Sequence, residues 1–256
     1  MSDIIVTEDA SILEVTLNRP KKKNALTFAM YEVLAGALRS ANTNRNVRVV
    51  LLSAAGDAFC AGNDIGDFMS NGGVDPVSAP PVRFIEALVR LEKPLVAAVH
   101  GAAVGIGTTL LLHADLAYAS EAAQFSTPFV ALGLVPEAAS SLLLSQRVGQ
   151  AAASDMLVRG AVISGTRAAA IGLVNEVVPS ADEVLALARS RARELAAKPP
   201  AALRLTKSIL RPDPATVLER VKLEAALFAE RVPSDEAREA FTAFFEKRPP
   251  DFSRLS

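Results

Sequence analysis

Two short glycine-bearing segments stand out as places where the main chain could do chemistry. In residues 58–65, AFCAGNDI, the small residues Ala61 and Gly62 let the backbone approach a ligand and turn an amide N–H outward. In residues 100–110, HGAAVGIGTTL, Gly105 and Gly107 stand at the mouth of an apolar segment, 108–112, that suits a helix. A helix start presents unpaired N–H groups and a partial positive charge, which suits a developing anion. Each segment also has an ordinary explanation, a strand-to-helix turn for the first and close helix packing for the second. The glycines at 101, 105 and 107 do not form the GxGxxG fingerprint, which disfavours a dinucleotide site.

The side chains that invite a chemical role are few. Lys21, Lys22 and Lys23 form a local basic patch able to meet phosphates, although such a run is as readily a solvated turn. His100 and His113 lie beside apolar segments with no metal-ligand partners at useful spacing, so packed, hydrogen-bonded histidines are expected and no metal site. Asp115 is expected to cap or anchor a strand. Cys60, the single cysteine, has no basic partner near it in sequence and reads as a small buried residue.

The elements that must position these residues alternate. Residues 4–6 and 12–17 are β-rich runs separated by Glu8, Asp9 and Ala10, which predicts a hairpin. Thr27 is a helix N-cap, after which Met30, Leu34, Ala37, Leu38 and Ala41 recur at helical spacing. Residues 47–52 and 94–99 are continuous apolar runs that fit strands covered on both faces, and a further strand is expected around 116–119. Strand and helix alternate to about residue 180, which predicts an α/β core with parallel pairing. Beyond it, stretches 181–198, 201–210, 214–231 and 234–248 are helical and broken by prolines. The chain therefore divides into a core, 1–198, and a C-terminal helical region, 199–256. An apolar row there, Leu218, Val221, Ala225 and Phe228, predicts a subunit interface.

Bulk composition excludes several classes. Half of the 256 residues are hydrophobic, enough to bury a substantial core without staples. With 27 basic against 28 acidic residues there is no global field for nucleic acid or an anionic membrane. No apolar stretch reaches the roughly 20 residues that span a bilayer, and the acidic start MSDIIVTED is unlike a signal peptide. A soluble, cytoplasmic protein is expected, in keeping with a lone cysteine.

Taken together and in order, AFCAGNDI, KPLVAAVHGAAVGIGTTL, DLAYASEAAQFSTPFVALGLVPEAASS and GLVNEVV resemble the enoyl-CoA hydratase/isomerase family, over nearly the whole chain from Asn18 to Phe252. The resemblance implies the crotonase-like spiral of ββα units, with C-terminal helices that build a homotrimer or a dimer of trimers. It implies an acyl-CoA thioester as substrate, so that coenzyme A arrives with the substrate and no separate cofactor is expected. It places two oxyanion donors at the backbone N–H groups of Asn63 and Ile106. The second position is usually glycine in the family, and a main-chain donor survives isoleucine if the backbone angles permit. Coenzyme contacts fall by resemblance to Lys22, Lys23, Ala25, Ala61, Gly62, Asp64 and Ile65. Phe244 and Lys247, three apart on the last helix and so on one face, are implied to reach the coenzyme of a neighbouring subunit.

The chain departs from the hydratase pattern. Where hydratases of the family hold a water between two glutamates, this sequence has Thr109 and Phe129, and neither can take a proton from water. Glu137, in LGLVPEAASS, matches the Pro-Glu of the peroxisomal-type enoyl-CoA isomerases, in which that glutamate is the single base. One carboxylate suffices to carry a proton from the α- to the γ-carbon. The apolar neighbours Phe129, Leu132, Leu134 and Val135 would desolvate it. Against this, a glutamate after proline also suits an ordinary helix start. Three readings follow: an isomerase shifting 3-enoyl-CoA to 2-enoyl-CoA, a hydratase-like enzyme with weak or altered activity, and a non-catalytic acyl-CoA binding subunit.

Overall fold

The computed structural model describes residues 2–70, 78–253 and 255. The expected hairpin forms as β1 (Ile4–Asp9) and β2 (Ile12–Leu17), paired antiparallel. Its turn is tighter than the sequence predicts. Ala10 and Ser11 both take positive φ, 47° and 66°, and Glu8 and Asp9 remain in the strand. The helix predicted from Thr27 is α1 (Phe28–Thr43), whose first turn is capped by the Thr27 hydroxyl accepting from the Met30 N–H.

The chain then winds through β3 (Val49–Ala54), α2 (Ile65–Ser70), α3 (Pro80–Val89), β4 (Leu95–Val99), β5 (Ala102–Val104), α4 (Ile106–Thr109), β6 (Leu116–Ser120) and β7 (Gln124–Ser126). It continues through α5 (Ser140–Val148), α6 (Gln150–Leu157), β8 (Ile163–Ser164), α7 (Gly165–Ala170), β9 (Glu176–Val178) and α8 (Ala181–Ala196). Two sheets result, a larger one in the order β1-β2-β3-β4-β6-β9 and a smaller one in the order β5-β7-β8. From β2 to β9 the large sheet is parallel, as predicted. The turns β4-β5-α4 and β6-β7-α5 each lay one strand in the large sheet, the next in the small sheet and then a helix, which is the spiral of ββα units.

The apolar strands are buried on both faces because successive side chains point oppositely. Val49, Leu51, Val96 and Ala98 pack with Val184, Ala188 and Ala192 of α8, whereas Val50, Leu52, Leu95 and Ala97 join the main core with α1 and α3. The C-terminal helices are α9 (Pro200–Leu210), α10 (Pro214–Arg231) and α11 (Asp235–Glu246). The row expected to form a subunit interface does something else. Leu218 and Val221 are buried, Ala225 packs on this chain's own core, and Phe228 joins a cluster with Phe241. The exposed large apolar residues described in this region are instead Leu205, Ile209 and Leu210 on α9, Leu223 and Leu227 on α10, Phe244 and Phe245 on α11, and Phe252 beyond it. Among the described residues no helix is long and apolar enough to cross a membrane.

Candidate active site

The two glycine segments meet in the small sheet. After β3 the chain turns at Gly56 and enters the buried pair Phe59–Cys60. The Cys60 N–H donates to Ala102 O at 3.0 Å, and the Val104 N–H donates to Cys60 O at 2.9 Å, so the segments run side by side. α4 then packs so tightly that a Cβ on Gly107 would lie 2.6 Å from Cys60 O. Close packing and donor placement are thus one arrangement. The helix begins at Ile106, two residues before the predicted start, because Gly105 makes the turn with φ 54° and ψ −118°. That turn answers the departure at 106: the demand for glycine falls on 105 and 107, and isoleucine sits in ordinary helical backbone.

Among the described residues, neither the Asn63 N–H nor the Ile106 N–H donates to any acceptor. Both residues line one cleft with Ala61, Gly62, Gly105 and Phe129. Two unpaired main-chain donors in one cleft are a ready site for an oxygen carrying negative charge. The first donor is positioned by Tyr31, fully buried on α1, whose hydroxyl donates to Asn63 Oδ1 at 2.5 Å. The Tyr31 ring packs tilted on Phe84 of α3 at 5.6 Å, and burial pushes its hydroxyl well above its ordinary pKa.

The lysine loop runs alongside. Lys23 O accepts from the Ala61 N–H at 2.9 Å, Gly62 O from the Leu26 N–H at 2.8 Å, and Leu26 O from the Asp64 N–H at 2.9 Å. Lys22 and Lys23 are exposed and Ala25 is half-buried between them and this seam. Asn24, which the sequence did not single out, is the buried organiser. Its side chain accepts from Arg19 N–H and donates to Ala55 O at 2.8 Å and Ala58 O at 2.7 Å. Asp64 is engaged within the protein: Arg19 donates to it at 2.7 Å, and that bond, with one from the Asp67 N–H, holds its carboxyl below the usual range.

Glu137 does not lie in the first turn of a helix, as the alternative reading of its Pro-Glu context had it. α5 starts at Ser140, and between them Ala138 and Ala139 are both left-handed, with φ 60° and 56°. This turn points the carboxyl inward, where Oε1 accepts from the Thr109 hydroxyl at 2.5 Å. Burial pushes the Glu137 carboxyl up to about 8; the Thr109 bond pulls the other way, and the Glu224 carboxyl adds a smaller upward push. Thr109 is one helical turn beyond Ile106, so α4 joins the acid to the second donor. His113, held neutral by burial with a value of about 4, donates from Nε2 to Ala138 O at 2.9 Å and so pins the turn.

With this geometry in hand, comparison with known proteins decides the family. A sequence profile described as enoyl-CoA hydratase/isomerase matches residues 7–254. The chain belongs to the enoyl-CoA hydratase/isomerase family. It is 37% identical over 255 residues to enoyl-CoA delta isomerase 2 of Rattus norvegicus, an alignment covering 96% of this chain and 64% of that protein. The chain thus spans just under two thirds of the length of that relative. It is 33% identical to 2,3-dehydroadipyl-CoA hydratase of Escherichia coli (strain K12), with 98% of this chain and 99% of that protein covered. The solved structure of an enoyl-CoA hydratase/isomerase from Pseudoalteromonas atlantica T6c superposes with a TM-score of 0.93 at 40% identity, covering 98% of this chain and 100% of that one.

In this site the two positions assigned to hydratase glutamates have other work. Thr109 is buried and bonded to Glu137, and Phe129 is buried in the cleft wall. That wall is an apolar cluster of Phe129, Leu134, Ala237 and Phe241, with Ile65, Leu132 and Phe228 packed against it. Phe228 and Phe241 come from α10 and α11; the sequence marked Phe228 only as part of an expected subunit interface, did not single out Phe241, and offers no signal linking either to residue 129. Phe244 is 59% exposed at the end of α11. Lys247 is the residue that closes that helix, in a left-handed conformation with φ 54°.

The remaining candidates take structural roles. His100 Nε2 bonds to Gly56 O at 3.0 Å. Asp115 accepts from the Leu95 N–H at 2.7 Å and pairs with Lys207 and Arg211, anchoring β4 and α9. Cys60 is fully buried and its thiol is pushed up to about 12, chiefly by burial. Among the described residues no group of three His, Cys, Asp or Glu side chains is placed to hold a metal ion.

Proposed function

We propose that this chain is an enoyl-CoA isomerase that converts 3-enoyl-CoA to 2-enoyl-CoA with Glu137 as its base. The observation that carries the reading is a half-buried carboxyl, joined through Thr109 to a helix whose first residue lines the same cleft as Asn63. The two N–H groups hold the thioester oxygen. Ionised Glu137 takes a proton from C2, and the electron pair spreads into a dienolate whose charge rests on that oxygen. Glu137 then returns the proton to C4, which leaves the double bond between C2 and C3. The relatives' names include an isomerase and a hydratase, so the choice rests on the site: at 109 and 129, threonine and phenylalanine leave no paired carboxylates to hold and split a water.

The acyl chain leaves the oxyanion donors along Phe129, Leu132, Phe228 and Phe241, and the coenzyme phosphates meet Lys22 and Lys23. The enzyme works in the cytoplasm as a homotrimer or dimer of trimers, using the apolar patch on α9 to bury Leu205, Ile209 and Leu210. Purified protein assayed in parallel with 3-enoyl-CoA and 2-enoyl-CoA tests the reaction. Glu137→Gln should bind acyl-CoA while isomerisation falls by about 10² to 10⁴. Rapid hydration of 2-enoyl-CoA without isomerisation would overturn the assignment, and wild-type turnover in Glu137→Gln would remove the base.

A further inference from the structure

Thr109 has one hydroxyl proton and two acceptors. Its Oγ1 lies 2.5 Å from Glu137 Oε1 and 3.3 Å from the carbonyl oxygen of Gly105. A hydroxyl donates once, so Thr109 serves only one of them at a time. An ionised Glu137 is the stronger acceptor and takes the O–H. A protonated Glu137 donates its own proton to Oγ1, and the Thr109 O–H is left to point at Gly105.

The Gly105 carbonyl and the Ile106 N–H are the two ends of one peptide unit. That carbonyl already accepts from the N–H groups of Thr108 and Thr109, both at 2.9 Å. A further hydrogen bond to it polarises the unit and makes its N–H a better donor. We propose that Thr109 is a positioning residue whose hydroxyl couples the charge on Glu137 to the donor strength of the Ile106 N–H. For its consequence in catalysis this rests on the isomerase reading. As Glu137 takes the C2 proton on Oε1 and turns that O–H toward Thr109 Oγ1, the Thr109 O–H turns to Gly105, so the donor at Ile106 strengthens in the step that places charge on the thioester oxygen. When C4 is protonated the O–H turns back. Thr109 keeps its proton throughout, and the only proton transferred passes from C2 to Glu137 to C4.

The titratable groups whose charge interacts with Glu137 are Glu224 on α10, Tyr31 on α1 and Cys60 after β3. Tyr31 and Cys60 are both raised by burial and stay neutral where Glu137 titrates, which leaves Glu224 as the group to control for.

The test is the thioester carbonyl stretch of a bound saturated acyl-CoA, labelled with carbon-13 at the carbonyl and read by difference infrared spectroscopy from about pH 6 to about pH 10. In the wild type the stretch should lie lower on the acid side of the Glu137 titration than on the alkaline side. Thr109→Ser and Glu224→Gln should keep that pH-dependent shift. Thr109→Val should lose it and stay at the weakly polarised limit. Glu137→Gln, whose amide donates to Oγ1 permanently, should hold the strongly polarised value at every pH. A direct field of Glu137 on the carbonyl would survive in Thr109→Val, so an undiminished shift in that variant overturns the proposal, as does a wild type with no shift. In turnover, Thr109→Val should lower kcat about 10-fold, short of the about 10² to 10³ expected for losing an oxyanion donor outright, and Thr109→Ser should restore it. The spectrum needs binding only. A Thr109-dependent shift in a protein that does not isomerise would support the coupling while sinking the isomerase reading, and turnover without the shift would do the reverse.

Discussion

Glu224 Oε1 accepts from both the backbone N–H and the hydroxyl of Ser141, at 2.9 and 2.5 Å, across 83 residues of chain. Ser141 is the second residue of α5, which starts immediately after the two left-handed alanines that carry Glu137 inward. A non-glycine residue in that conformation costs about 1–2 kcal/mol, so the turn persists only if its surroundings hold it. Glu224 holds it from the far side and His113 from the near side.

Glu224→Ala should therefore lower stability by about 1–3 kcal/mol and, on the proposed isomerase mechanism, reduce kcat more than it raises KM, because Glu137 loses its fixed position. Glu224→Gln keeps an acceptor for Ser141 and should recover most of both. Thermal denaturation and steady-state kinetics on the pair check this. Wild-type stability and kcat in the alanine variant would contradict it.

The raised Glu137 carboxyl sets two pH dependences. On the proposed mechanism Glu137 must be ionised, so kcat/KM should climb with pH and level off above about 8. Stability runs the other way. Between the ordinary value of 4.5 and about 8 the folded protein holds a proton that the unfolded chain has released, so stability falls as pH rises through that window. Glu137→Gln removes the effect and should be more stable than wild type by on the order of 1–3 kcal/mol at pH near 8, with the gain vanishing on approach to 4.5. Melting temperatures of the two proteins measured across that range decide it.

Lys22 and Lys23 are exposed on a loop stitched to Ala61. Replacing both with alanine should weaken acyl-CoA binding several-fold at low salt, and raising salt should erase most of the difference, as screening does for exposed charges. Calorimetric titration at two ionic strengths reads this out. Equal affinities at low salt would remove the patch from the site.

Ile209 is 82% exposed on α9, between the exposed Leu205 and Leu210. If this patch is the subunit contact, Ile209→Asp should convert the oligomer to monomers in light scattering at micromolar concentration, with the monomer still folded by circular dichroism. A wild type that is itself monomeric would dismiss the interface.

The sequence by itself determined the elements and marked the two glycine segments that meet in the cleft. Thr27 caps its helix by bonding a residue three positions on, and the strands from Val49 and Leu95 announce burial on both faces, because these are local facts of propensity and hydrophobic run. Asn63 and Ile106 were named by the resemblance of their segments to the family, and their unpaired N–H groups depend on the backbone around Gly62, Gly105 and Gly107. Only the tertiary structure decided which side chains serve them. Asn24, Tyr31, Glu224, Phe228 and Phe241 lie far along the chain from what they hold, and nothing in a local window separates them from ordinary buried residues. The row Leu218, Val221, Ala225 and Phe228 marks the limit most plainly, since an apolar helix face requires cover, and periodicity cannot say whether the cover is the chain's own core or another subunit. Thr109 likewise looked like the loss of a glutamate, and became the partner of Glu137 only when the left-handed turn at Ala138 and Ala139 brought that carboxyl within 2.5 Å of it.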